Sequence, residues 1–253
     1  MVQKRFPWVQ LIENRENVGF ARANNQGIRA SSGRYVLLLN SDTVVNSEAL
    51  QILVRFMDEH PRAGAVGARL LNDDGSLQPA SHPMLTPERE FWRLLYLDDL
   101  FPRASYPMHK WDDETPRQVD AIKGASLMLR RQALEQVGLL DKIYFMYTEE
   151  VDICYRLSQA GWEVWYEPRA VVTHFGGASS RQMSEEMYLQ LYRSKLQFYR
   201  KFGGEARAHR FKIYLRLAYW PRKTIASMLA PFRPEWEVRK RLYTRLLSEL
   251  NTY

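Results

Sequence analysis

The chain has 253 residues, 45% hydrophobic and 26% charged, which suits one globular domain with room for an appendage. Its single cysteine, Cys154, excludes an internal disulfide framework and fits a reducing, cytoplasmic compartment; no stretch approaches the roughly 20 apolar residues of a membrane span, and no signal peptide is visible at the start. The formal charge of +7 is uneven: residues 205–253 hold 11 Lys and Arg against 4 Asp and Glu, leaving 25 of each sign before them.

Trp8-Val9-Gln10-Leu11-Ile12 reads as a strand, and Phe20 to Ala30 as a helix closed by Ser31-Ser32-Gly33. The unbroken apolar run Tyr35-Val36-Leu37-Leu38-Leu39 predicts a strand covered on both faces of a mainly parallel sheet, ending in Asn40-Ser41-Asp42. A helix follows, with Ser47 as N-cap and Leu50, Leu53, Val54 and Met57 at helical spacing. Ala63 to Leu70 is the next strand, and Asn72-Asp73-Asp74-Gly75 a turn. Residues 76–118, with six prolines, predict loops and one short helix around Phe91 to Leu95. Val119 to Arg130 returns to strand character around Gly124-Ala125-Ser126. A helix from the acidic run to Ala160-Gly161 and a strand from Glu163 to Phe175, interrupted at Pro168, complete the pattern. From Ser184 onward the chain reads as helical. Alternating strands and helices predict a three-layer α/β domain over residues 1–204, with a helical extension over 205–253.

Three carboxylates crowd into the run Tyr147-Thr148-Glu149-Glu150-Val151-Asp152, between apolar segments. Repulsion and burial raise carboxylate pKa values there, which suits proton transfer; an acidic first helical turn is the plain alternative. Open α/β sheets bind ligands at the carboxyl ends of strands, where both Asp42 and His174 fall, the latter just before Gly176-Gly177-Ala178-Ser179. One Asp oxygen and one imidazole nitrogen make a partial shell for Mg²⁺ or Mn²⁺, completed by substrate phosphate oxygens. Taken singly, His174 reads more often as a structural histidine, and Asp42 equally as a turn residue.

The order of motifs is more specific than any one of them. Asn17-Val18-Gly19-Phe20, Asn24-Asn25-Gln26-Gly27, Asn40-Ser41-Asp42-Thr43, Gly124-Ala125-Ser126, Arg130-Arg131, Glu149-Glu150-Val151-Asp152, Arg156-Leu157, Ala160-Gly161 and His174 together resemble the inverting nucleotide-sugar glycosyltransferases of family 2. These have the GT-A fold, and the nearest flavour is the rhamnosyltransferase-like branch that builds bacterial cell-surface polysaccharides. The resemblance implies that Asn40-Ser41-Asp42 stands for the family's Asp-x-Asp motif, with Asp42 reaching the metal on the sugar diphosphate and His174 completing its shell. It implies Glu150 as general base, where the family usually has Asp, with Asp152 as the second candidate. Asn17 and Gly19 would lie near the donor nucleotide, and Gly124 and Ala125 near sugar and acceptor. The implied substrates are a nucleotide diphosphate sugar, with deoxythymidine diphosphate rhamnose the first guess, and a glycan or lipid-linked acceptor.

Members of that family normally begin with a strand, a helix and a second strand whose Asp-containing loop holds the base. This chain begins near the third element, so a nucleotide pocket without a wall and an open hydrophobic sheet edge are expected. A catalytically impaired or non-catalytic sugar-binding subunit of a polysaccharide assembly complex is therefore the alternative function. The extension combines its basic residues with Tyr214, Tyr219, Trp220, Phe232 and Trp236, as an anionic membrane surface would require at the inner face of a bacterial cell membrane. A basic face on an oligomer or core is the alternative reading of 205–253. No recognition motif supports nucleic-acid binding.

Overall fold

A computed structural model of the chain describes residues 1–98, 104–176, 185–250 and 252. A single helical turn, α1 (Val2–Arg5), leads into an extended stretch in which residues 8–12 form no strand and Trp8 is 77% exposed. The strand expected there is absent because a strand needs a ladder partner for its N–H and C=O groups, and among the described residues none pairs with it.

The elements after α1 are α2 (Phe20–Ala30), β1 (Tyr35–Leu39), β2 (Thr43–Val45), α3 (Ala49–Glu59), β3 (Ala63–Leu71), β4 (Leu77–Gln78), β5 (Ser81–His82), α4 (Pro87–Leu94), β6 (Arg117–Gln118), β7 (Ala121–Ile122), β8 (Ser126–Arg130), α5 (Arg131–Val137), α6 (Glu149–Gln159) and β9 (Glu163–His174). The main sheet runs β1-β8-β3-β9-β2, with β4 beside β3 and β6 beside β9; β5 and β7 form a separate ribbon. It is mixed, but the expected mainly parallel sense is corrected. Only the long β3–β9 pairing is parallel among the described pairs. β1 lies antiparallel to β8 with no strand on its other edge among the described residues. Its burial alternates, with Val36 and Leu38 inside and Leu39 42% exposed, so the apolar run is half-covered rather than enclosed.

Adjacent residues of a strand face opposite layers. Trp165 of β9 meets Phe56 of α3, with ring centroids 5.6 Å apart, whereas Tyr166 meets Trp111 at 5.6 Å. Gly67 of β3 has no room for a side chain, since a Cβ would lie 2.2 Å from Ile122 Cγ2 of β7. Pro168 sits in the register shift between β3 and β9, a bulge that tolerates its missing N–H. The expected cap Ser47 lies one residue early: Glu48 takes the N-cap place, and Ala49 N–H donates to Asn46 O at 3.0 Å. The expected single strand from 119 to 130 is broken into β7 and β8, and residues 123–125 between them turn into the cleft described below.

The helices after residue 184 are α7 (Glu185–Leu229), kinked at Gly204 (φ 68°, ψ −175°), and α8 (Pro234–Glu249). Beyond the kink α7 packs back on α4: Phe91 and Tyr214 stack with centroids 4.6 Å apart, and Phe211 and Leu215 join the core. The residues Gly177, Ala178 and Ser179 named with His174 lie outside the described residues.

Candidate active site

The acidic run does open a helix, α6, as its composition requires. The approach is strained: Tyr147 (φ 68°) and Thr148 (φ 75°) both occupy the left-handed region, unusual for any side chain and most so for β-branched Thr. Buried Asn25 on α2 holds this approach at two points, donating from Nδ2 to Leu140 O at 2.7 Å and accepting from Leu140 N–H at 3.1 Å. Gly19 holds a third. Asn17 Oδ1 accepts from Gly19 N–H at 3.0 Å, Phe20 N–H donates to Phe145 O at 2.8 Å, and a Cβ on Gly19 (φ 81°) would lie 2.4 Å from that oxygen. Asn17 and Gly19 do not line the cleft themselves; they place Phe20, which does.

The cleft has a volume of about 370 Å³ and is floored by Lys123, Gly124 and Ala125, with Glu149 and Glu150 on one wall and Asn40 and His174 at one end. The floor is tied to that end by Asn40 N–H donating to Ala125 O at 3.1 Å. A Cβ on Gly124 would lie 3.6 Å from Phe20 Cζ and 3.8 Å from Glu150 Cβ, so the cleft narrows there without a clash.

At the Asn40 end, β2 pairs with β9 so that Thr43 stands opposite His174, and His174 Nε2 comes within 3.4 Å of Asp42 Oδ1. Gln78 donates from its amide nitrogen to Asn72 Oδ1 at 2.9 Å, which leaves its Oε1 to accept from His174 Nδ1 at 2.7 Å. The proton is thereby assigned to Nδ1, and Nε2 keeps its lone pair beside the Asp42 carboxylate. Asn40 Nδ2, 3.3 Å away, faces the same lone pair. One carboxylate and one imidazole of the correct tautomer fit a hard divalent cation that takes its other ligands from substrate oxygens. No group of three His, Cys, Asp or Glu gathers for a metal among the described residues.

Glu150 and Asp152 part company. Glu150 faces the cleft, and burial pushes its pKa up, against the nearby positive charges of Lys123 and Lys195. Glu149 is pushed up further, by burial and then by the charge of Glu150, and its Oε2 has no partner. Asp152 points into the protein instead, with none of its surface exposed. Its Oδ1 accepts from Arg156 Nε at 2.6 Å, and its Oδ2 from Tyr144 O–H at 3.1 Å and Lys201 Nζ at 2.6 Å. The reading of Asp152 as a second base is corrected: its oxygens are spoken for, and it lies away from the cleft.

His82, Arg93, Lys123 and Lys195 also line the cleft and were not singled out in the sequence. His82 donates from Nδ1 to Pro83 O at 2.9 Å, and burial lowers its pKa to about 4, so the ring is neutral. Buried Glu90 holds both Arg93, at 3.0 Å, and Lys195. Arg130 and Arg131, by contrast, are framework residues. Arg130 donates to the carbonyls of Met57, His60 and Ala63, and Arg131 to Gly33 O and Ser31 Oγ.

The cleft therefore brings a carboxylate of raised pKa together with Gly124, Ala125 and His174, whose imidazole lies beside Asp42, and known proteins share the sequence around it. N-acetylglucosaminyl-diphospho-decaprenol L-rhamnosyltransferase of Mycobacterium tuberculosis is 31% identical over 186 residues, covering 68% of this chain and 60% of that protein. The low-salt glycan biosynthesis hexosyltransferase of Haloferax volcanii is 29% identical over 58% of this chain and 46% of its own length. Poly-beta-1,6-N-acetyl-D-glucosamine synthase of Staphylococcus epidermidis is 26% identical over 66% of this chain and 35% of its own. The chain thus spans between about a third and three fifths of these relatives. The solved structure of GalNAc-T7 with UDP, GalNAc and Mn²⁺ superposes with a TM-score of 0.50 at 16% identity, covering 68% of this chain and 33% of that one, a likeness of fold. The pattern of the family described as "Glycosyltransferase like family 2" matches residues 1–193, which takes in β1 to β9 and every residue of the cleft except Lys195; the chain belongs to that family.

Proposed function

We propose that the chain supports metal-dependent, inverting transfer of a sugar from a nucleotide diphosphate sugar to a glycan or lipid-linked acceptor in cell-surface polysaccharide synthesis. The observation that carries this reading is Glu150: a carboxylate of raised pKa facing a cleft also lined by His174, whose Nε2 lies 3.4 Å from Asp42 Oδ1 and 3.3 Å from Asn40 Nδ2. An acceptor hydroxyl is a poor nucleophile at neutral pH, and Glu150 takes its proton as attack develops. A divalent cation held by Asp42 and His174 would neutralise charge growing on the leaving diphosphate. Gly124 and Ala125 leave space for the sugar between the two ends, and a single displacement there inverts the anomeric centre. The rhamnosyltransferase likeness makes deoxythymidine diphosphate rhamnose the first donor to try.

A second reading is a sugar-binding or scaffold subunit without turnover, and the edge of β1, which pairs with no strand among the described residues, favours it. Incubation with Mn²⁺, a panel of nucleotide sugars and a lipid-linked acceptor separates the two. Transfer is expected, abolished by chelation and by Asp42→Ala; donor binding without turnover would leave the scaffold reading.

Residues 205–253 extend the proposal to a peripheral position on an anionic membrane. α7 and the turn after it show water Leu217, Trp220 (66% exposed), Met228 and Phe232, with exposed Arg233 and Arg239 nearby. No helix among the described residues is long and apolar enough to cross a membrane. Binding to vesicles containing phosphatidylglycerol is expected, weakening with salt, and none to pure phosphatidylcholine. Equal affinity for both, or for neither, would remove the membrane from the proposal.

A further inference from the structure

We propose that Lys123, with Arg93 behind it, forms an anion subsite for a phosphate group carried by the acceptor, apart from the Asp42–His174 end of the cleft. The inference rests on the transfer reading and deepens it by naming the class of acceptor: a hydroxyl compound with a phosphate close to the attacking group.

Three successive residues set the order of the cleft. Ala125 is bonded to Asn40 and so belongs to the His174 end. Gly124 comes next, beside Glu150, which places the base in the middle. Lys123 follows; its backbone N–H donates to Ala80 O at 2.8 Å, which ties it to the segment that carries His82 in β5 and leads on to α4. The Lys123 ammonium also feels Arg93, which Glu90 holds together with Lys195, so an acceptor whose hydroxyl sits at Glu150 has Lys123 on the side of the Arg93–Glu90–Lys195 group.

The charges at that side do not balance. Glu90, 3% exposed, is one carboxylate shared between Arg93 and Lys195. The Lys123 ammonium makes no hydrogen bond or ion pair with any side chain among the described residues, although it lines the cleft. Arg93, Lys195 and Lys123 thus bring three positive charges to a region whose carboxylates are Glu90, Glu150 and Glu149, the last pushed up furthest by burial. His82, neutral, adds nothing to either sign. With Glu149 protonated, the excess is one positive charge before proton transfer and two once Glu150 has taken the acceptor proton. A phosphate, with between one and two negative charges, matches that range; a neutral sugar leaves it unmet. Desolvation and then the charge of Arg93 lower the pKa of Lys123, against the opposing charge of Glu150. The excess also has a use. A phosphate seated here compensates the cleft when Glu150 becomes neutral, and it fixes the acceptor at a second point, so that its hydroxyl meets the base in one orientation.

Calorimetry on the full chain in excess chelator tests the subsite without turnover, using glucose 1-phosphate, glucose and glucuronate as probes. The expected result is metal-free binding of glucose 1-phosphate at least about ten-fold tighter than either other probe. Lys123→Gln and Lys123→Met are expected to erase that preference, while Lys123→Arg and Asp42→Asn keep it. Equal affinity for the three probes would overturn the proposal, as would a preference that survives in both neutral variants. Loss in Asp42→Asn alone would overturn it too, by assigning the phosphate to the donor end. Failure of the transfer reading looks different: no nucleotide release from any donor, with Lys123-dependent binding intact.

Discussion

Glu150→Gln is expected to lower the transfer rate by about 10³-fold, inside the range of roughly 10² to 10⁴ ascribed to a positioned general base. The amide keeps the size of the carboxylate and cannot take the acceptor proton. Donor binding through the Asp42–His174 end should be unchanged, so the loss falls on kcat rather than on donor affinity. The pH dependence follows from the raised pKa. The base works only when ionised, so transfer should rise with pH through a midpoint above the usual carboxylate range, and the midpoint belongs to the Glu149–Glu150 pair. Stability should move the other way. Both side chains hold protons more tightly folded than unfolded, so their contribution is fully present below the unfolded carboxylate pKa and is lost as pH rises through the raised values. Glu149→Gln should flatten that loss, because the side chain pushed up furthest no longer titrates, and should leave the activity midpoint above the usual carboxylate range, because the burial that raises Glu150 remains. A Glu150→Gln protein with normal turnover would take the base away from this residue.

Those two carboxylates show what was legible beforehand. The acidic cluster announced a helix start, and its crowded carboxylates pointed to raised pKa values, although burial is the largest cause of the shift at both Glu149 and Glu150. So were Asp42 and His174, each at the end of an apolar run, and the register between β2 and β9 brings them together. Residues whose meaning depends on distant chain were hidden. Arg93 and Lys195 sit on α4 and α7 and meet only through Glu90. Lys123 stood beside a glycine already singled out, but that it has no ion-pair partner among the described residues is a three-dimensional fact. Strand sense was hidden for the same reason: the apolar run of β1 looks alike whether its neighbour runs parallel or antiparallel. The split within Glu149-Glu150-Val151-Asp152 follows from helical geometry, since Glu150 and Asp152 are two residues apart and so point to nearly opposite sides of α6.

The consequence for Asp152 is large and of a different kind. Asp152→Ala is expected to cost about 3 to 5 kcal/mol, the range for breaking a buried ion pair by removing one partner. For a chain of this size that amounts to a fall in melting temperature of about 6 to 20 °C. The lost carboxylate bridges three elements: Arg156 on its own helix, Tyr144 on the approach loop and Lys201 on α7. Arg156 would keep its bonds to the carbonyls of Val137, Gly138 and Leu139, and Lys201 its bond to Asp141 at 2.6 Å, which keeps the cost below complete unfolding. Asp152→Asn should cost less, because the amide oxygen can still accept from Arg156. Lys201→Met should cost less again, because Lys201 reaches partly into water and Asp152 retains Arg156. Thermal melts order the three variants, and turnover measured well below their midpoints decides the role. A residue that holds the fold leaves kcat near normal in the protein that remains folded. Normal melting with turnover lost would return Asp152 to the chemistry, and would require its carboxylate to leave Tyr144, Arg156 and Lys201 to reach an acceptor.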